Sequence, residues 1–290
     1  MNLSFIKMEG CGNDYVYVDC VKEQPDIPDK SDLAVRISDR HFGVGSDGLI
    51  FVNRSEIADF EMEMYNADGS RGEMCGNGIR CVAKLVRDRD YITKDSFTIE
   101  SMGKIKNITV HRENGEVVTV SVDMGEPVLI PEEIPANLPA RMETAVNVPI
   151  QTDKVRAEFT GVSMGNPHAV IFTDSIKDYS GSVKDLPLES IGPDFENHRF
   201  FPARVNTEFV EVIDKSEVNM RVWERGSGET FACGTGCCAT VVAGVLTGRT
   251  QRDITVNLRG GALKVSWNEF DGHVYMTGPA RRVFEGVFRA

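Results

Sequence analysis

Apolar and polar residues alternate through Lys106–Val110, Glu116–Val122, Glu208–Ile213, Val218–Trp223 and Ala262–Trp267, with polar or Gly-containing turns between several of these runs. Alternation of period two puts one face of a run into a core and the other into solvent, so these segments are predicted strands. Helical spacing is scarcer. It predicts helices over Asp32–Arg40, Gly78–Asp88 and Gly236–Leu246. Between the halves of the chain, Gly125–Ala140 (containing EPVLIPEEIPANLPA) carries four prolines and reads as a linker or an irregular edge.

The last two helices share a device. MCGNGIRCVAKLV (Met74–Val86) and ACGTGCCATVVAGVL (Ala232–Leu246) each run from Cys-Gly-x-Gly directly into an apolar helix. Upstream of each, at nearly the same offset and in the same order, CGND (Cys11–Asp14) is echoed by MGNP (Met164–Pro167). A duplicated unit accounts for both echoes. Each unit is then a strand-rich layer covering one buried helix, an α+β architecture.

Composition narrows the class. A length of 290 residues with 41% apolar and 26% charged side chains describes a globular chain of one large domain or two ordinary ones. The 44 acidic against 32 basic side chains leave a net charge of -12, without the basic clusters that phosphate backbones require, so nucleic acid is not an expected partner. The longest apolar stretch, Cys237–Leu246, is far short of a membrane span, and the first residues lack the basic and apolar regions of a secretory signal. Seven cysteines in a chain of this size predict free thiols in a reducing, cytoplasmic setting.

A helix start presents backbone N–H groups and the positive end of the helix dipole. Glycines there let a carboxylate approach the backbone, and a cysteine there has its thiolate stabilised. Two copies suggest two thiols, Cys75 and Cys233, serving one ligand. Inverting an α-carbon needs a proton removed from one face and another delivered to the opposite face. One thiolate and one thiol do this without a base crossing the substrate, and they exchange roles in the reverse direction. The carbanion's charge would spread onto the carboxylate and be met by backbone donors of both helix starts.

Other readings compete. Cys11, Cys20, Cys81, Cys237 and Cys238 are expected as small buried hydrophobes. Zinc could use Cys75 with Cys81, or Cys233 with Cys237 and Cys238, but the paired spacing of structural zinc is missing, and no HxH or HExxH occurs among His41, His111, His168, His198 and His273. Gly43–Gly48 (GVGSDG) matches G-x-G-x-x-G yet follows ISDRHF instead of a buried strand, so it does not read as a dinucleotide site. A cysteine hydrolase pairing Cys75 or Cys233 with His168 leaves the second Cys-Gly-x-Gly unexplained.

The blocks MEGCGNDYVYVD (Met8–Asp19), GVGSDGLI (Gly43–Ile50), YNADGSRGEMCGNGIRC (Tyr65–Cys81), GNPHAV (Gly165–Val170), RVNTEFV (Arg204–Val210) and ERGSGETFACGTG (Glu224–Gly236) closely resemble the diaminopimelate epimerase family over nearly the full chain. The resemblance implies interconversion of LL- and meso-diaminopimelate by two cysteines, with no metal or pyridoxal phosphate cofactor. It also implies two pseudo-symmetric domains, each a curved, mostly antiparallel sheet around a central helix, and a homodimer. The domains are expected at 1–124, joined by the returning 276–290, and at 125–275. By position, Cys75 and Cys233 match the catalytic thiols, and His168 and Glu224 match residues that tune them. Gly76, Asn77, Gly234 and Thr235 match the carboxylate-binding helix starts. Asn13, Asn66, Asn166, Asn206, Glu224 and Arg225 match the remaining substrate contacts, whose amides and guanidinium suit a distal amino-acid group. The sequence departs from some relatives at Gly48, where they carry Gln, and at Phe284, where they carry a tyrosine implicated in dimer contact. Racemases of proline- or glutamate-like substrates and a non-catalytic binding protein are the rival readings. The distal Asn and Arg set argues against the first, and retention of both cysteines against the second.

Overall fold

A computed structural model describes residues 2–22, 24–72, 74–139 and 141–289; Met1, Glu23, Glu73, Ala140 and Ala290, which include the outer ends of the expected first domain and of the proline-rich stretch, lie outside the described residues. The chain divides into two compact units, Met1–Asp123 with Thr277–Ala290, and Met124–Met276.

The first unit contains β1 (Asn2–Gly10), β2 (Asn13–Asp19), α1 (Lys30–Ser38), β3 (Gly48–Asn53), β4 (Phe60–Asn66), β5 (Arg71–Gly72), α2 (Gly76–Asp88), β6 (Ser96–Ser101), β7 (Lys104–Glu113) and β8 (Glu116–Gly125). In the second unit follow β9 (Val148–Gln151), β10 (Arg156–Ser163), β11 (Pro167–Phe172), α3 (Leu188–Glu196), β12 (Asn206–Asp214), β13 (Glu217–Glu224), β14 (Gly228–Glu229), α4 (Gly234–Leu246), β15 (Asp253–Leu258) and β16 (Gly261–Trp267), and β17 (Val274–Pro279) begins in the second unit and ends in the first. The last strand, β18 (Arg281–Arg289), returns to pair antiparallel with β1.

The duplication is explicit in the ladders. In the first unit β1–β2 is antiparallel, β2–β3 parallel, β3–β4 antiparallel, β4–β6 parallel and β6–β7 antiparallel. In the second, β10–β11, β11–β12, β12–β13, β13–β15 and β15–β16 repeat that series in order. A helix joins each first parallel pair, α1 in one unit and α3 in the other, as a parallel connection requires. The fold is α+β with mostly antiparallel sheets.

The strands at the centre of each unit are covered on both faces. Every residue of β3 is buried. Leu49 and Phe51 join Leu33, Ala34 and Ile37 of α1 in one core, while Ile50 points the other way: a Cβ on Gly78 of α2 would stand 2.9 Å from Ile50 Cδ1. In the second unit β11 is likewise wholly buried, with Ala169 and Ile171 packed among Leu188, Ile191 and Phe195 of α3. A strand buried on both faces has no reason to alternate. That is why GLIFVN and PHAVIF escape a period-two reading.

All three predicted helices form, with shifted starts. Asp29 accepts the Asp32 N–H at 3.0 Å and starts α1 at Lys30. Cys75 and Cys233 act as N-caps, so α2 and α4 begin at Gly76 and Gly234, earlier than the apolar spacing indicated. The helix α3 was not predicted. Gly192 and Pro193 interrupt its sequence, and its register depends on tertiary contacts: Trp223 of β13 donates its indole N–H to Glu196 at 2.8 Å. The proline-rich stretch is an irregular edge of the second unit instead of a free linker. Val128 bridges Ser163, Pro131–Glu133 forms a turn of 3-10 helix, and Ile134 and Ala136 enter the core.

Gly192 admits the Trp223 ring where a side chain would collide, since a Cβ there would lie 2.3 Å from Trp223 Cδ2. Gly192→Ala is therefore expected to destabilise the protein by about 1–3 kcal/mol, read as a lower midpoint in urea unfolding.

Candidate active site

Both buried helices begin in the same way. Cys75 caps α2 with φ -128° and ψ 112°, and Cys233 caps α4 with φ -120° and ψ 111°. An extended residue followed by Gly-x-Gly turns the backbone N–H groups of the first turn toward the cap side chain. All seven cysteines are free thiols; Cys75 is half-buried and the other six are buried.

In the first unit Cys75 Sγ accepts the Gly78 N–H at 3.3 Å and donates to Asn13 Oδ1 at 3.2 Å. Asn77 gives its side-chain N–H to the same Asn13 oxygen at 3.4 Å. A sulfur that both accepts and donates suits a group that must exist as both thiolate and thiol. The Tyr15 hydroxyl also hydrogen-bonds Cys75; burial first, then the neighbouring thiol's charge, push that phenol far up, so it serves as a neutral O–H. Arg80, fully buried, braces this helix start. Its guanidinium reaches Gly76 O at 3.0 Å, Asn77 Oδ1 at 2.8 Å, Pro279 O at 3.2 Å and Cys11 Sγ at 3.8 Å. Asn66 ends β4 opposite Gly48 and donates to Ser70 Oγ at 2.9 Å. A Cβ at Gly48 would lie 2.2 Å from Tyr65 O, so a glutamine at this position would require the paired strand to move.

In the second unit the thiol's neighbours are ionisable. Burial, then the charges of Glu224 and Glu208, hold the Cys233 thiol well above its ordinary range; the Thr235 hydroxyl and Gly236 N–H pull the other way and weigh less. Burial likewise raises Glu224, against the opposing hydrogen bonds of Thr230 and Cys233. Cys233 Sγ lies 3.5 Å from Thr235 Oγ1, which accepts from Asn166 Nδ2 at 3.3 Å. Asn166 Oδ1 is 3.0 Å from His168 Nε2, and the other ring nitrogen, Nδ1, lies 2.7 Å from Glu208 Oε1. His168 and Glu208 are both fully buried. Asn206 accepts the Arg225 N–H at 2.9 Å and donates to Pro167 O at 2.9 Å, while the Arg225 guanidinium reaches Ala203 O at 3.1 Å.

Within the first unit the fold thus gathers Cys75, Asn13, Asn77 and Gly76, with Asn66 on the neighbouring strand. In the second it gathers Cys233, Gly234, Thr235, Asn166, His168 and Glu224, with Asn206 and Arg225 beside them. Tyr15, Arg80 and Glu208 escaped the sequence reading. The available signal for Glu208 was its place in the repeat: it stands in β12 where Ile50 stands in β3, each packed against the third helical residue of its unit. A Cβ on Gly236 would lie 2.6 Å from Glu208 Oε1. Among the described residues no three His, Cys, Asp or Glu side chains are grouped to hold a metal ion, and no helix is long and apolar enough to cross a membrane.

The fold of two duplicated α+β units is shared with known structures. The crystal structure of a hydroxyproline epimerase from Agrobacterium vitis matches with a TM-score of 0.68 at 13% identity, over 99% of this chain and 92% of that one. A phenazine biosynthesis protein of the PhzF family from Bacillus anthracis matches with a TM-score of 0.65 at 16% identity, over 100% of both chains. The chain belongs to the diaminopimelate epimerase family, whose model matches residues 5–130 and 160–283. It is 51% identical over 284 residues to the diaminopimelate epimerase of Methanococcus maripaludis strain S2, covering 98% of this chain and 99% of that protein. It is equally 51% identical to that of Acetivibrio thermocellus, covering 98% of both.

Removing the Glu208 carboxylate takes the 2.7 Å hydrogen-bond partner from the buried His168 Nδ1. Glu208→Leu is expected to cost about 1–3 kcal/mol in urea unfolding, and Glu208→Gln, whose amide oxygen still accepts, to recover most of that loss.

Proposed function

We propose that the chain is a diaminopimelate epimerase that inverts one α-carbon of 2,6-diaminopimelate, interconverting the LL and meso forms. The observation that carries this reading is the pair of cysteine-capped helix starts with matching backbone geometry, in a chain about half identical to diaminopimelate epimerases over nearly its whole length. One thiolate removes the α-proton from one face, and the other cysteine's S–H delivers a proton to the opposite face. The electron pair left on the α-carbon passes onto the carboxylate, where N–H groups of Gly76, Asn77, Gly234 and Thr235 stabilise it. The proton transfers need only the thiols, so the reaction proceeds without a cofactor. The environment of Cys233 favours its neutral S–H form before substrate arrives, the form that donates. Glu224, raised by burial, is suited to exchange a proton with that sulfur, and His168 holds Asn166 beside Thr235. Asn13, Asn66, Asn206 and Arg225 recognise the distal amino-acid end. A site that leaves polar groups unpaired without that end rejects lysine.

Free thiols support a reducing, cytoplasmic setting. A homodimer is supported by the exposed apolar side chains Val283, Phe284 and Val287 on β18, a strand edge beside β1.

In heavy water and without added cofactor, the parent protein is expected to place deuterium at the α-carbon of LL-diaminopimelate as it epimerises. Cys75→Ala and Cys233→Ala are each expected to lose epimerisation by at least about a hundredfold. Full epimerisation by either variant defeats the two-thiol mechanism, and absence of exchange in the parent defeats the substrate assignment.

A further inference from the structure

GVGSDG, dismissed above as a dinucleotide loop, places Asp47 behind the first thiol. Asp47 Oδ2 accepts the Asn13 side-chain N–H at 2.7 Å and the Asp14 backbone N–H at 3.1 Å. Asp47 Oδ1 accepts from Arg40 at 2.8 Å, and Arg40 also grips Asp14 at 2.8 Å. The backbone joins in: Asp47 N–H donates to Asp14 O at 2.7 Å, and Ala67 N–H donates to Asp47 O at 3.1 Å. The loop is thereby locked to the start of β2 on one side and to the residue after Asn66 on the other.

An amide can present either end to a neighbour, and its orientation follows from the hydrogen bonds available. An ionised carboxylate only accepts, so Asp47 must receive the NH2 of Asn13. The amide oxygen is then left facing Cys75 Sγ at 3.2 Å and Asn77 Nδ2 at 3.4 Å. An oxygen at that distance accepts the thiol's proton and repels the thiolate, whereas a reversed amide would donate to the thiolate. We propose that Asp47 is a positioning residue for Cys75, fixing the Asn13 amide with its oxygen on the sulfur and so balancing the Gly78 N–H that favours the thiolate. This rests on the reading of Cys75 as a proton-transferring thiol. The second unit has no counterpart, because Val205 occupies the equivalent place before β12 and is buried.

Among the described residues, the titratable groups facing Cys75 include Tyr15 and Tyr17 on β2 and Cys81 on α2. Burial raises both phenols and pushes the Cys81 thiol up to about 12, so none of them titrates while Cys75 is measured.

The test is the pH dependence of iodoacetamide alkylation at Cys75 in the full chain carrying Cys233→Ser, with the label located by peptide mass spectrometry. In Asp47→Ala the Asn13 amide is free to turn and donate to the thiolate, so the midpoint is expected to fall by about one pH unit. Asp47→Asn loses the charge but keeps an acceptor, and is expected within about 0.3 units of the parent. Arg40→Met, which breaks the ion pairs and spares the Asn13 contact, is also expected to leave the midpoint in place. Asn13→Ala removes the oxygen itself and must lower the midpoint even if Asp47→Ala does not fold. An unmoved midpoint in Asn13→Ala overturns the proposal. So does an equal fall in Asp47→Asn, which would make the effect one of charge alone. Retained epimerisation in Cys75→Ala would remove the catalytic reading while leaving these midpoints to decide the positioning.

Discussion

The structure depends on burying a helix start. The first turn of a helix leaves backbone N–H groups without intrahelical partners, and placing them in a core is costly unless something accepts from them. Each unit places a cysteine in extended conformation before Gly-x-Gly. Sulfur is a weak acceptor and a titratable group. In the first unit the Gly78 N–H that donates to Cys75 Sγ both completes the helix start and holds the thiol, so stability and chemistry share one atom there.

Around that common device the two halves diverge. Asn13 opens β2 and Asn166 immediately precedes β11, and two residues on come Tyr15 in one unit and His168 in the other. Behind the helix start the first unit has Ile50 and the second Glu208. The last residue of β4 is Asn66, and that of its counterpart β13 is Glu224. Cys75 thus lies beside the neutral Asn13 amide and Tyr15 hydroxyl, with the Asp47 carboxylate behind that amide. Cys233 lies beside the carboxylates of Glu224 and Glu208, whose charges add to burial in raising it. A duplicated scaffold has produced two thiols with different environments, suited to holding one as acceptor while the other carries its proton.

The sheets make this arrangement stiff. Because β3 and β11 are covered on both faces, they cannot slip by one residue without exchanging their two buried surfaces. Gly78 and Gly236 press the helix starts against β3 at Ile50 and β12 at Glu208, where a Cβ would stand at 2.9 Å and 2.6 Å. Cap, glycine and backing strand form one packed unit. The distances that matter for proton transfer are therefore set by core packing.

The repeated Cys-Gly-x-Gly, the helices it starts, several strands with a wet face and the α+β class were all legible in the sequence, because each depends on local chemistry or on one periodic face. The two capping cysteines were legible for the same reason: a cap is a local motif. The doubly buried strands, the helix Leu188–Glu196 with its internal glycine and proline, and the packing of the proline-rich stretch were not, since each is held by partners distant in the chain. The same holds for Glu208, Tyr15, Arg80 and Asp47. Nothing in NTEFVEV marks its first glutamate as the partner of His168, and nothing in GVGSDG marks its aspartate as the brace of Asn13. Local sequence determined which atoms could react. Only the tertiary structure decided which groups would orient them, because strand pairing brings together residues that no local spacing connects.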